Sequence, residues 1–247
     1  MTSSSDSHPP EPSKQIFATT HWSVVLAAGR SDPCVSQAAL EQLCRAYWRP
    51  LYSYLRRRGY AHSDAEDLTQ TFLARLLERN DVATVNPDRG KFRSYLLAAL
   101  KHFLSDEWDK ARALKRGGGR VVVPLDMAAG ECDEHCADTL SPEKVFDRRW
   151  ALTVLEEVHR RLRQEHEQAG SIAQFEALRF CLMGERSSVP YAELAEKLGI
   201  SEGGVKAAVH RLRQRYRRLL RELIAETVAT PDEVEEELRY LLVAIKS

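Results

Sequence analysis

The sequence predicts an all-α protein of two small helical domains joined by a flexible linker. Apolar residues recur at intervals of three and four along most of the chain, the period of an amphipathic helix. Strand-like alternation is confined to the short run Val121-Val122-Val123, and no unit repeats at a fixed period. Between the two helical halves, residues 117–140 lose all periodicity, and Gly117-Gly118-Gly119 opens that stretch.

The elements follow in chain order. Residues 1–14 are polar and Pro/Ser-rich and are expected to form a disordered tail, with a short helix from Phe17 to Leu26 after it. From Ala38 to Arg58, Leu40, Leu43, Ala46, Tyr47, Leu51, Tyr54 and Leu55 define one helical face, with Pro50 as a site for a kink. Gly59 ends that helix. Ser63 and Glu66 have capping-box spacing for the next, whose buried face is Leu68, Phe72, Leu73, Leu76 and Leu77. A turn-rich loop from Asn80 to Gly90 precedes a third helix carrying Phe92, Tyr95, Leu96, Ala99, Leu100, Phe103 and Leu104. Together these predict a first domain over 15–116.

The second domain is expected over 141–226. Ser141 caps a helix with Pro142 at its first position, continuing through Leu152, Leu155, Val158 and Leu162. Farther on, Leu194, Ala195 and Leu198 form a short apolar face that Gly199 terminates. Ile200 is placed to plug the turn, and Ser201 caps a helix with Val205, Val209, Leu212, Tyr216, Leu219 and Leu223 inward. Two helices about a tight glycine turn make a helix-turn-helix. Its outward side carries Lys206, His210, Arg211, Arg213, Arg215, Arg217 and Arg218, the distribution a helix needs to enter a major groove. An ordinary hairpin with a solvated basic face is the alternative. Residues 227–247 predict an extra helix with Pro231 in its first turn, acids from Asp232 to Glu237 at its positive end, and Leu238, Leu241, Leu242 and Ile245 inward. That acidic helix has two destinations: simple packing on the second domain, or cover for the basic DNA-reading face.

Charge supports a nucleic-acid partner only locally. Lys plus Arg and Asp plus Glu each number 36, so the average is neutral, yet basic residues gather at Arg89–Arg120 and Lys206–Arg221. No secretory pattern and no apolar run of membrane-spanning length is present, which predicts a cytoplasmic protein without membrane contact. Five scattered cysteines do not make a disulfide framework. Cys132, His135 and Cys136, with Cys181, could ligate zinc but lack a defined fourth ligand, so free thiols are expected. No Ser/His/Asp nucleophile or phosphate-cradling glycine loop appears, and neither catalysis nor a cofactor is expected.

These residues resemble the extracytoplasmic-function group of bacterial sigma factors, over roughly Leu40 to Leu223. Ser63-Asp64-Ala65-Glu66-Asp67-Leu68-Thr69-Gln70-Thr71-Phe72 resembles the second-region helix that grips core RNA polymerase. The resemblance implies polymerase contacts for Asp64, Asp67, Gln70 and Phe72; the acids can equally be plain helix-start residues. Gly90-Lys91-Phe92-Arg93-Ser94-Tyr95-Leu96-Leu97 is similar to the start of the family's melting helix, with Tyr95 where Trp is common, and His102 to Arg112 is similar to its end, from which His102 and Asp109 depart.

The same resemblance places Asn86, Asp88, Lys91 and Arg93 near the minus-ten element, where a base is extruded from the nontemplate strand. The exposed strand then needs cations and a stacking surface, roles open to Lys101, Lys110, Arg112, Lys115, Arg116 and Trp108, although Trp108 is also a candidate core residue. Tyr191–Leu223 resembles the fourth region, implying minus-thirty-five contacts for Ser201, Lys206, Ala207, His210 and Arg211, and phosphate contacts for Arg213 and Arg217. Phe17-Ala18-Thr19-Thr20-His21-Trp22-Ser23 and Phe146-Asp147-Arg148-Arg149-Trp150 look like a sigma-like subgroup and imply no role. The implied architecture is a region 2 helical bundle and a region 4 helix-turn-helix. The implied partners are core RNA polymerase, promoter DNA and an anti-sigma factor, with a monomer when free. A conventional helix-turn-helix regulator is the alternative, and it leaves the acidic second helix and the basic third unexplained.

Overall fold

A computed structural model describes residues 33–78, 91–115, 140–183, 190–228 and 230–246. Every regular element among the described residues is helical. In chain order these are α1 (Pro33–Arg57), α2 (His62–Glu78), α3 (Phe92–Lys115), α4 (Pro142–Gln168), α5 (Ile172–Leu178), a 3-10 turn (Arg179–Met183), α6 (Tyr191–Leu198), α7 (Glu202–Ala225), a second 3-10 turn (Pro231–Glu233) and α8 (Val234–Lys246). The predicted tail over 1–14, the short helix at Phe17–Leu26, the Val121 run, Cys132, His135 and Cys136 lie outside the described residues, as does all of the predicted linker except Leu140.

Local chemistry accounts for most of the boundaries. Helix α1 continues through Pro50, which is buried within it, and ends where Gly59 takes φ +88° and Tyr60 N–H donates to the Leu55 carbonyl. Helix α2 begins one residue before Ser63, with Ala65 N–H donating to Ala61, so Ser63 lies inside the first turn rather than capping it. At α4 the expected cap is present: Ser141 Oγ accepts from Lys144 N–H, and Pro142 occupies the first turn, where a missing N–H costs nothing. At 27 residues α4 is a rod about 40 Å long.

Two apolar clusters lie along that rod. The C-terminal half of α4 contributes Val158 and Leu162 to a cluster with Phe175, Leu178, Leu194, Val205, Val209, Leu212 and Leu219. Its N-terminal half contributes Phe146, Trp150 and Ala151 to the other, which holds Tyr47, Leu51, Leu55, Phe72, Phe92, Leu96 and Leu100 of α1–α3. Ile224 near the end of α7 and Leu241 and Ala244 of α8 join this second cluster. The core of the first three helices is therefore completed by residues more than thirty positions beyond α3. A backbone hydrogen bond from Phe92 N–H to the Thr227 carbonyl, 3.4 Å, and a side-chain one from Arg57 Nε to the Leu140 carbonyl, 2.8 Å, reinforce the joint.

The tail is helical as expected but rolled by about one position. Leu241 and Ala244 face inward and Leu238 and Ile245 are half-buried, whereas Leu242 is 57% exposed, since Glu237 takes an inward place. Ile200 is 38% exposed and does not plug the turn between α6 and α7 as the sequence suggests; Leu194 and Ala195 are the buried residues of α6. No helix among the described residues is long and apolar enough to cross a membrane.

Candidate nucleic-acid interface

Helices α6 and α7 are joined by a tight turn at Gly199 and Ile200. Gly199 sits at φ +65°, a left-handed conformation that lets its N–H and that of Ile200 return to the end of α6. Ser201 then caps α7, its Oγ accepting from Gly204 N–H at 3.1 Å. With Val205, Ala208, Val209 and Leu212 buried, Lys206, Ala207, His210 and Arg211 are left on the exposed side of the first turns, and Ser201 is exposed at the start. Arg217 is exposed farther along. Arg213 is placed differently: its Nε and Nη2 donate to the Cys181 carbonyl at 2.9 and 2.7 Å, bracing the 3-10 turn against α7. Arg215 is likewise held at Glu165, and its hydrogen bonds keep the Glu165 carboxyl below the usual range.

A second exposed stripe runs along α3. Lys101, Ser105, Trp108 and Arg112 lie at helical spacing and all face solvent. Trp108 is 44% exposed, not core, and the Arg112 guanidinium lies 4.2 Å from its ring centroid, so a flat aromatic and a cation form one platform. Lys101 pairs with Glu143 at 2.8 Å, and Lys110 pairs with Glu107 at 2.9 Å. Burial pushes the Glu107 carboxyl up, but its bonds to Lys110 and Arg75 outweigh this and hold it below the ordinary value. Asn86, Asp88 and Arg116 lie outside the described residues, as does the side chain of Lys115.

On α2 the expected polymerase residues divide. Asp67 and Gln70 are exposed and Asp64 is half-buried. Phe72 differs from the expectation: at 4% exposure it lies in the core, its ring 5.6 Å from that of Phe103. Its period-derived place on the buried face and its resemblance-derived place at a contact surface conflict, and packing decides for the former.

Lys91 and Arg93, expected at the melted strand, are enclosed. Lys91 Nζ lies 2.8 Å from Glu236 and 3.0 Å from Glu237. Arg93 is 7% exposed: Nε donates to Glu237 Oε1 at 2.6 Å, Nη2 to Oε2 at 3.3 Å and Nη1 to Asp147 at 3.0 Å. The Tyr240 ring covers the guanidinium at 3.8 Å, and its hydroxyl donates to Asp147 at 2.6 Å. Burial would lower both cations' pKa values, but the carboxylates raise them above the usual values. Glu237, wholly buried, is tolerable only because both its oxygens are bonded to cations. Sequence reasoning missed Asp147, Glu237 and Tyr240, and periodicity gives no signal for a pair 144 positions apart. Among the described residues no His/Cys/Asp/Glu group is arranged to hold a metal.

Residues 43–114, covering α2, nearly all of α3 and the C-terminal part of α1, match the family model of sigma-70 region 2. Sigma-70 region 2 domains bind core RNA polymerase and minus-ten promoter DNA. No curated protein and no solved structure matches the chain.

Proposed function

We propose that this protein is a sigma factor of the extracytoplasmic-function type, a non-enzymatic cytoplasmic subunit that directs core RNA polymerase to its promoters. The single observation that carries this reading is the coexistence in one chain of a region 2 match over 43–114 and a capped helix-turn-helix whose leading face presents Lys206, His210 and Arg211. Asp64, Asp67 and Gln70 grip the enzyme, with Phe72 positioning them from inside. Lys101, Trp108 and Arg112 hold the opened strand, where stacking contributes about 1–3 kcal/mol per base. The start of α7 reads the upstream duplex through base edges while Arg217 meets phosphate.

Polymerase supplies the organisation. The segments 15–116 and 141–226 bind at a fixed spacing on the enzyme, at the cost of opening the core that α4 shares with α1–α3, and this raises the effective concentration of each DNA reader for its element. An anti-sigma factor would act by occupying α2 or α3. Purified protein and core polymerase should initiate transcription at a specific promoter without another factor. Absence of initiation, with specific duplex binding by the protein alone, would instead identify a conventional regulator.

A further inference from the structure

Three consecutive carboxylates open α8, and each meets a cation. Glu235 pairs with Arg221 of α7, Glu236 with Lys91, and Glu237 with both Lys91 and Arg93. Carboxylates on lysine and arginine are chemically close to phosphates on the same groups. With α8 in place, Arg93 is 7% exposed and the Lys91 side chain 18%, so neither has room for a nucleic-acid backbone. The apolar hold on α8 is one-sided and mostly partial. Leu241 and Ala244 are buried and Val234, Leu238, Tyr240 and Ile245 pack half-buried beside them, while Leu242 and Val243 face solvent, and a helix of 13 residues is marginal without docking. Charge pairs that a polyanion can replace, joined to a one-sided and largely half-buried apolar face, make a detachable element.

We infer that α8 is an internal competitor for nucleic acid: its acidic first turn occupies Lys91 and Arg93 in the free protein, and single-stranded DNA must displace it to reach them. The inference rests on the region 2 role proposed for α3, but it concerns the free chain and is tested without polymerase. Lys91 and Arg93 lie at the start of α3, and the third paired cation, Arg221, lies at the far end of α7 from its leading face, so α8 guards the melted strand rather than the upstream duplex.

The test is titration of a labelled single-stranded oligonucleotide with the full-length protein across a range of salt. Glu235→Gln/Glu236→Gln/Glu237→Gln removes the competing charge; Leu241→Ser loosens docking and leaves every charge. Both variants are expected to bind about tenfold more tightly than the parent, with a salt dependence steeper by about two counterions for the two freed cations. Saturating DNA should also speed amide hydrogen exchange across 234–246 in the parent. Affinity and salt slope equal to the parent's in both variants would overturn the inference. So would a gain confined to the triple variant, which would mean general repulsion, and so would undiminished α8 protection with DNA bound. Where Leu241→Ser fails to fold, Leu238→Ala, at a half-buried position and likewise leaving every charge, replaces it with a gain of about threefold expected and no gain overturning. Failure of the parent to bind core polymerase would remove the sigma reading alone, because a gain in DNA binding on loosening α8 would still stand.

Discussion

Phe72 and its neighbours on α2 separate two meanings of importance. Phe72 fills the core, so Phe72→Ala is expected to cost about 3–5 kcal/mol in urea unfolding. Asp67→Ala and Gln70→Ala, at exposed positions, should change stability by less than about 0.5 kcal/mol while weakening capture by immobilised core polymerase. Glu226 offers a pH-dependent counterpart. Burial lifts its carboxyl above the ordinary range against the pull of Arg161, and its Oε2 has no partner among the described residues. A carboxyl whose value is raised on folding weakens the fold where it is ionised, and that penalty fades as pH falls through the raised value. Glu226→Gln should therefore gain about 1 kcal/mol at neutral pH and little in mild acid, as read by denaturant midpoints at the two conditions.

Individual elements were legible where their causes are local. Ser141 with Pro142, Gly199 and Ser201 fix helix ends through bonds that span three or four residues, and each stands where the sequence puts it. Ser201→Ala is accordingly expected to cost about 1 kcal/mol of stability. On the proposed DNA-reading role of α7, Arg211→Ala should weaken binding to particular duplex sequences, and Arg217→Ala should weaken all of them and lower the salt slope by about one. Arg213, charged and close by in sequence, is committed to the Cys181 carbonyl, and no spacing rule separates it from its neighbours. The roll of α8 was hidden for a related reason. Glu237 is polar, and only a partner as distant as Arg93 makes it an inward residue.

Across the whole molecule, a two-domain reading gives no sign that the helical halves share a core. Phe146, Trp150, Ala151, Ile224, Leu241 and Ala244 lie with α1–α3 because shape complementarity between distant helices leaves no trace in local periodicity. The free protein is expected to unfold in one cooperative step, with far- and near-ultraviolet circular dichroism giving the same midpoint. Two separate midpoints would show that α4 does not couple the halves.

Trp150 gives that shared core an optical voice. Its indole is 1% exposed and lies 5.2 Å from the Arg93 guanidinium, at the seam between α4, α3 and α8. Any event that parts these helices wets the ring, so its emission colour becomes a running record of whether the protein is shut or sprung.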